Sequence, residues 1–274
     1  MRIILHAGFH KTGTSSVQAA LAAHRAALAP HWAVQVAALS GPLARVAKAA
    51  LAASVDPAAL VELRVALALW AAGLRPGAGL LISCEDLVGH MPGRHGLRSY
   101  AAACHLVPEV AQALTTRFPG AAVEVLLTTR AAPDWLRSLH WQLSKHPEMR
   151  LTARGYARRF ADAAKPEPIL RALAPLLAPV RLHSVPIEML APRRLGPVEA
   201  LYDLAELPDA LRASLPPVPR VDRSTPLDLA DTFVRLNRAG LDPVELDRMK
   251  HEMVTLARLL VADTPTLSSG PAID

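Results

Sequence analysis

The chain has 274 residues, 51% hydrophobic but only 4% aromatic, and its 30 Lys and Arg outnumber 24 Asp and Glu for a net charge of +6. That length can bury a sizeable core in one large α/β domain, and dominance of Ala and Leu favours helix over strand. No basic run carries interleaved aromatics, which gives nucleic-acid binding no support, and two isolated cysteines, Cys84 and Cys104, exclude a disulfide framework.

In chain order, residues 2–6 read as a strand, and residues 14–28 as a helix closed near Pro30. A short strand follows over 32–39, then Ala/Leu-rich helices over 42–54 and 57–73, the second opened by the Asp56-Pro57 cap pair. Residues 79–83 (GLLIS) form a compact buried strand that ends at Cys84-Glu85-Asp86, and the Gly- and Pro-rich stretch 87–100 reads as an irregular loop. A helix over 105–117, a strand over 123–129 and a helix from Pro133 to about Lys145 come next. Helices over 152–164 and 166–177 lead to a last strand over 180–185. Residues 195–207 look helical, 208–226 proline-rich and extended, and helices near 226–238 and 242–262 end the fold.

Apolar strands alternating with helices argue a mainly parallel sheet covered on both faces, with extra helices at the C-terminal end. No repeat or low-complexity linker divides residues 1–274, so they read as a single α/β domain. The apolar stretch 58–74 is interrupted by Glu62 and Arg64, which argues against a membrane span, and Met1-Arg2 leads directly into a strand, leaving no room for a signal peptide. A cytoplasmic location is expected.

The segment Ile3 to Leu21, IILHAGFHKTGTSSVQAAL, concentrates the chemistry. A strand, a tight loop and a helix present backbone N–H groups and a helix N-terminus to an anion. Lys11 adds a point charge, and Thr12, Thr14, Ser15 and Ser16 add hydroxyls. In the triphosphate P-loop, G-x-x-x-x-G-K-[ST], lysine follows the last glycine. Here Lys11 precedes Gly13 by two residues instead of following it, which disfavours ATP or GTP hydrolysis with Mg²⁺. The spacing of Gly8 and Gly13 also fails the dinucleotide fingerprint.

The arrangement His10-Lys11-Thr12-Gly13-Thr14-Ser15-Ser16 resembles the phosphosulfate-binding loop of sulfotransferases, which use 3′-phosphoadenosine 5′-phosphosulfate (PAPS). A second segment resembles that family's 3′-phosphate motif: a strand ending in Arg130, then Pro133, then Ser138 eight residues after the arginine. The resemblance covers the first strand–loop–helix and residues 123–145; residues 79–86 and 220–238 are only loosely similar to bacterial sulfotransferase-like proteins. It implies a three-layer, P-loop-like α/β fold and sulfuryl transfer from PAPS to a hydroxyl or amine of a carbohydrate, lipid or small metabolite. Carried over, Lys11, Thr12, Gly13, Thr14, Ser15 and Ser16 surround the 5′-phosphosulfate, and Arg130 and Ser138 hold the 3′-phosphate. The geometry is physically sensible, because a guanidinium at a strand's carboxyl end and a hydroxyl on the next helix can meet on one phosphate. The family's C-terminal Arg-Lys-Gly segment is absent; Arg223, within Arg220-Val221-Asp222-Arg223-Ser224, is its candidate substitute.

Sulfuryl transfer needs in-line positioning and neutralisation of the leaving oxygen, a task for Lys11, and a base for the acceptor. Glu85, just after the 79–83 strand, is the first candidate base, although a first-turn acid next to Asp86 is an equally good structural explanation. His10, inside the loop, is the second, imidazole being suited to proton transfer near neutral pH; His90, His95 and His140 follow. Trp135 and Trp141 are candidates for stacking on adenine, and Trp135, His140, Gln142 and Lys145 for lining the acceptor cleft, with the 87–98 loop as its lid. No cluster has metal-ligand spacing, and PAPS chemistry requires no metal. Two alternatives stay open: a Mg-ATP-dependent kinase with a variant loop, and a non-catalytic phosphoadenosine-binding protein.

Overall fold

The computed structural model describes residues 1–75, 77–219 and 228–262. They form two compact units, one of residues 1–139 with 160–219 and the other of residues 140–159 with 228–262. The first unit is an α/β structure around five parallel strands, β1 (Arg2–His6), β2 (Trp32–Val36), β3 (Gly79–Ser83), β4 (Ala122–Thr129) and β5 (Arg181–Pro186), in the order β2-β3-β1-β4-β5. That order and the loop after the central strand make the fold P-loop-like, as the sequence predicts.

The helices are α1 (Thr14–Leu28), α2 (Pro42–Val55), α3 (Leu60–Gly73), α4 (Ala103–Arg117), α5 (Ala132–Ser144), α6 (Ala153–Arg159), α7 (Glu167–Leu177), α8 (Ile187–Leu190), α9 (Glu199–Leu204), α10 (Asp209–Ser214), α11 (Ala230–Arg238) and α12 (Pro243–Ala262). The β1–α1–β2 crossover moves one way along the sheet and the later crossovers move the other. Right-handed connections therefore put α1 on one face and α2, α3, α4 and α7 on the other. The apolar run Ile3, Ile4 and Leu5 is completely buried because both faces are covered. Ile4, Leu81 and Leu126 meet Val17, Leu21 and Leu28 of α1, which in turn pack with Val198, Leu201 and Tyr202.

Several segments depart from the sequence reading. Residues 152–164 are not one helix: α6 stops at Arg159 and a 3₁₀ turn spans Asp162–Ala164. Residues 195–207 split into a 3₁₀ turn, Gly196–Val198, and α9. Residues 209–214, expected to be extended, form α10, because Leu211 and Leu215, four apart, both reach the core below α1. Residues 216–219 carry no regular secondary structure, and the rest of the expected stretch, 220–226, lies outside the described residues. Among the described residues, no helix is long and apolar enough to cross a membrane.

The second unit has its own small core, in which Trp141 packs on Phe233 at 5.5 Å between ring centroids. Asn237 Nδ2 donates to the carbonyls of Ser144 (3.1 Å), His146 (2.9 Å) and Met149 (2.7 Å), closing the C-terminal end of α5. The buried Lys250 ammonium donates to the Ser144 and Lys145 carbonyls and to Asn237 Oδ1. Its pKa is lowered by burial. Truncating Asn237 removes its three donations to carbonyls and one of the three acceptors of Lys250. Asn237→Ala is expected to lower the unfolding free energy by about 2–3 kcal/mol in urea denaturation.

Candidate functional site

β1 runs directly into the loop, and the first loop residues still pair with β4: Ala7 N–H donates to the Leu126 carbonyl (3.1 Å) and Phe9 N–H to that of Thr128 (3.0 Å). The chain then turns sharply. Lys11 (φ 65°) and Gly13 (φ 91°) are left-handed, a curl of the kind that gathers backbone N–H groups around an anion. Gly13 is required twice over, since a Cβ there would also stand 2.6 Å from Ile187 Cδ1.

The threonine hydroxyls turn away from the loop's open side. Thr12 Oγ1 donates to the Phe9 carbonyl at 2.5 Å, Thr14 Oγ1 donates to the same carbonyl at 3.2 Å, and both residues are buried. What the loop offers a ligand is its backbone. Gly13 caps α1 with no side-chain bond, and its carbonyl accepts from the Ser16 and Val17 N–H groups. Helix geometry leaves the Thr14 and Ser15 N–H groups without an intrahelical acceptor. Ser15 and Ser16 are half-buried, as is Lys11.

Beneath the loop lies a polar chain that the sequence did not reveal. Thr12 Oγ1 sits 2.7 Å from Thr128 Oγ1, and His6 places Nε2 at 3.2 Å from Thr128 Oγ1 and Nδ1 at 2.9 Å from Ser83 Oγ. Counting hydrogens sets its direction. The Thr128 hydroxyl spends its one hydrogen on Thr12 or on the Gly8 carbonyl (3.2 Å), so its oxygen accepts from His6 Nε2–H and Ser83 donates to Nδ1.

Arg130 follows β4, and its Nη1 donates to the Lys11 carbonyl at 3.4 Å, so the second candidate anion group stands against the first. Ser138 is half-buried on α5. Arg223 lies outside the described residues. Trp135 is buried, with Nε1–H donating to the His10 carbonyl at 2.9 Å. A cleft open to solvent is walled by Phe9, Tyr100, Trp135 and Ile169, with Thr12 and Arg130 at its polar edge.

The candidate bases share the carboxyl edge of β3 and β1. Glu85 opens the 3₁₀ turn Glu85–Val88, close against Gly8, and its Oε2 accepts from Gln18 Nε2 at 2.5 Å. His10 is held at both nitrogens: Nε2 is 3.1 Å from Asp86 Oδ1 and Nδ1 is 3.1 Å from the Tyr100 hydroxyl. In the sequence the Glu85-Asp86 pair is the signal for Asp86, and nothing there points to Tyr100. His90 and His95 lie together in the 87–100 loop, rings 4.6 Å apart, and burial, helped by His95 and Arg94, lowers the His90 pKa to about 4. His140, Trp141, Gln142 and Lys145 belong to the second unit, where His140 Nε2–H donates to the Leu151 carbonyl and Lys145 lies over the Trp141 ring.

No family model and no curated protein matches the chain. Among solved structures, it is similar to the crystal structure of a sulfotransferase from Alicyclobacillus acidocaldarius, with 15% identity over 96% of this chain and 95% of that one and a TM-score of 0.41.

Burial lowers the His6 pKa to about 4 from 6.5. The unfolded chain takes up this proton near the upper value and the folded chain only near the lower, so stability falls as pH drops through that window. The loss is expected to shrink in His6→Asn, measured by denaturation at stepped pH. His90 titrates in the same window, so the comparison belongs in a His90→Asn background.

Proposed function

We propose that this chain is a sulfotransferase that moves a sulfuryl group from PAPS to a hydroxyl or amine of a carbohydrate, lipid or small-metabolite acceptor. The observation that carries this reading is the adjacency of two anion sites on one sheet edge. The β1–α1 loop, with its uncapped helix start and Lys11, lies directly against Arg130 at the end of β4. A nucleotide phosphorylated at both the 3′ and 5′ positions is the ligand that needs both. Order and spacing of the two motifs in sequence support the same reading.

In this mechanism the Thr14 and Ser15 N–H groups and the Ser15 and Ser16 hydroxyls hold the 5′-phosphosulfate. Thr12, Gly13 and Thr14 act through the shape of the loop. Arg130 and Ser138, with Arg223 as a further candidate, take the 3′-phosphate through fork-like donors. Lys11 places its ammonium on the oxygen that leaves as the S–O bond breaks, and fixed charge at that point lowers the barrier without reorganisation. The acceptor's proton goes to a base at the β3 edge, where Glu85 and His10 are the candidates. The reaction requires no metal.

Adenosine 3′,5′-bisphosphate at a hundred times Kd is expected to stabilise the protein by about 2.7 kcal/mol, seen as a rise in Tm. Arg130→Ala should weaken that binding roughly ten- to a hundredfold, the worth of a charge-assisted phosphate contact. Lys11→Ala should cut sulfate transfer by about 10²-fold or more. Stabilisation by Mg-ATP and not by the bisphosphate overturns this reading in favour of a kinase; binding without turnover favours a non-catalytic nucleotide-binding protein.

A further inference from the structure

His10 is fixed more tightly than a loop histidine needs to be. Nε2 lies 3.1 Å from Asp86 Oδ1, Nδ1 lies 3.1 Å from the Tyr100 hydroxyl, and the two rings are within 9° of parallel. An ionised carboxylate only accepts hydrogen bonds, so Asp86 requires the imidazole hydrogen on Nε2. The lone pair of neutral His10 is then on Nδ1, and Tyr100 O–H donates to it. The imidazole therefore has no lone pair left to meet an acceptor directly. The Tyr100 oxygen does keep lone pairs, and Tyr100 forms a wall of the cleft beside Arg130. Tyr100 is itself held by Phe9, whose ring centroid is 4.8 Å away, and by Trp135 at 6.2 Å. The Trp135 indole also pins the His10 backbone.

We propose that Asp86, His10 and Tyr100 form a proton relay in which the Tyr100 hydroxyl is the group that deprotonates the acceptor. This rests on the sulfuryl-transfer reading. As the acceptor oxygen bonds to sulfur and the bond from sulfur to the 5′-phosphate oxygen breaks, the acceptor's proton passes to the Tyr100 oxygen. The Tyr100 hydrogen passes to His10 Nδ1. The products are the sulfated acceptor, adenosine 3′,5′-bisphosphate and an imidazolium facing the Asp86 carboxylate. Tyr100 and His10 carry the proton; Asp86 is a positioning residue that sets the tautomer and faces the charge that forms.

Labelled sulfate transfer from PAPS into a pool of sugars, phenols and lipid alcohols, with release to water as baseline, tests the relay in the full chain. Tyr100→Phe keeps the ring and removes the hydroxyl. It is expected to lower kcat by about 10²-fold while the Kd for adenosine 3′,5′-bisphosphate changes less than about threefold. Asp86→Asn should lower kcat comparably and shift the His10 tautomer away from Nε2–H, read by ¹⁵N NMR of the imidazole. Tyr100→Phe as fast as wild type, or a rate loss confined to Glu85→Gln, overturns the relay while leaving the sulfotransferase reading intact. A His10 hydrogen found on Nδ1 in the free protein also overturns it, whatever the kinetics. A wild-type chain that neither binds the bisphosphate nor transfers sulfate overturns both.

Discussion

The Phe9 carbonyl is the point to which the site is tied. Two threonine hydroxyls converge on it, one of them continuing through Thr128 to His6 and Ser83 in the strands below. Each of these polar groups would be costly to bury alone, and together they satisfy one another. The result is a loop rigidly set against β1, β3 and β4. Its threonine hydroxyls are spent on that attachment, so the donors offered to an anion include the Ser15 and Ser16 hydroxyls and the backbone N–H groups at the start of α1, the latter holding their direction without side-chain entropy to lose. His6 pays the electrostatic cost: kept neutral by burial, it bridges two strands through hydrogen bonds that an apolar residue could not make.

The attachment also decides where the cations lie. Tying down Phe9 fixes the left-handed turn at Lys11, and the Lys11 carbonyl is what Arg130 reaches from the end of β4. The register of β1 with β4 sets His6 opposite Leu126, and β4 runs on to Thr129 alongside Ala7–Phe9, so the loop and Arg130 share one edge. The other end of the sheet is locked separately. Burial alone would raise the Glu124 carboxyl, but hydrogen bonds from Arg2 and His183 outweigh it and hold its pKa below the usual range.

Much of this was legible in the sequence, for identifiable reasons. Short apolar runs bounded by glycine or proline gave β1, β3 and β4 and the helices beside them nearly to the residue, because both periodicity and stop signals are local. Lys11, Gly13, Arg130 and Ser138 were readable because their order and spacing carry the pattern. The direction of a side chain was not. Thr12 and Ser15 are equally good hydroxyl donors on paper, and only the fold shows one buried on Phe9 and the other half-exposed. His6 was hidden because a histidine closing an apolar strand looks like the strand's end. Asp86 was hidden behind Glu85: neighbours in sequence, they point apart in the 3₁₀ turn, one to His10 and the other to Gln18. Residues 209–214 failed for a different reason. Flanking prolines suggested an extended chain, but tertiary burial of Leu211 and Leu215 won over them.

The placement of the acids bears on which of them can serve a reaction between anions. Glu85 Cα and Cβ lie close to Gly8 of the β1–α1 loop, and the Glu85 carboxylate accepts from Gln18 Nε2. A carboxylate close to a bound anion opposes it by like-charge repulsion, and the Gln18 amide, a neutral donor, offsets little of that. Asp86 lies across the His10 ring from Tyr100, and it is Tyr100, not Asp86, that lines the cleft. A proton drawn through Tyr100 into His10 ends as positive charge between the acid and the site, where it attracts both the carboxylate and the departing phosphate. An acid one imidazole away from the chemistry can thus supply the drive for deprotonation without opposing the binding of the nucleotide, which a carboxylate on the loop itself would do.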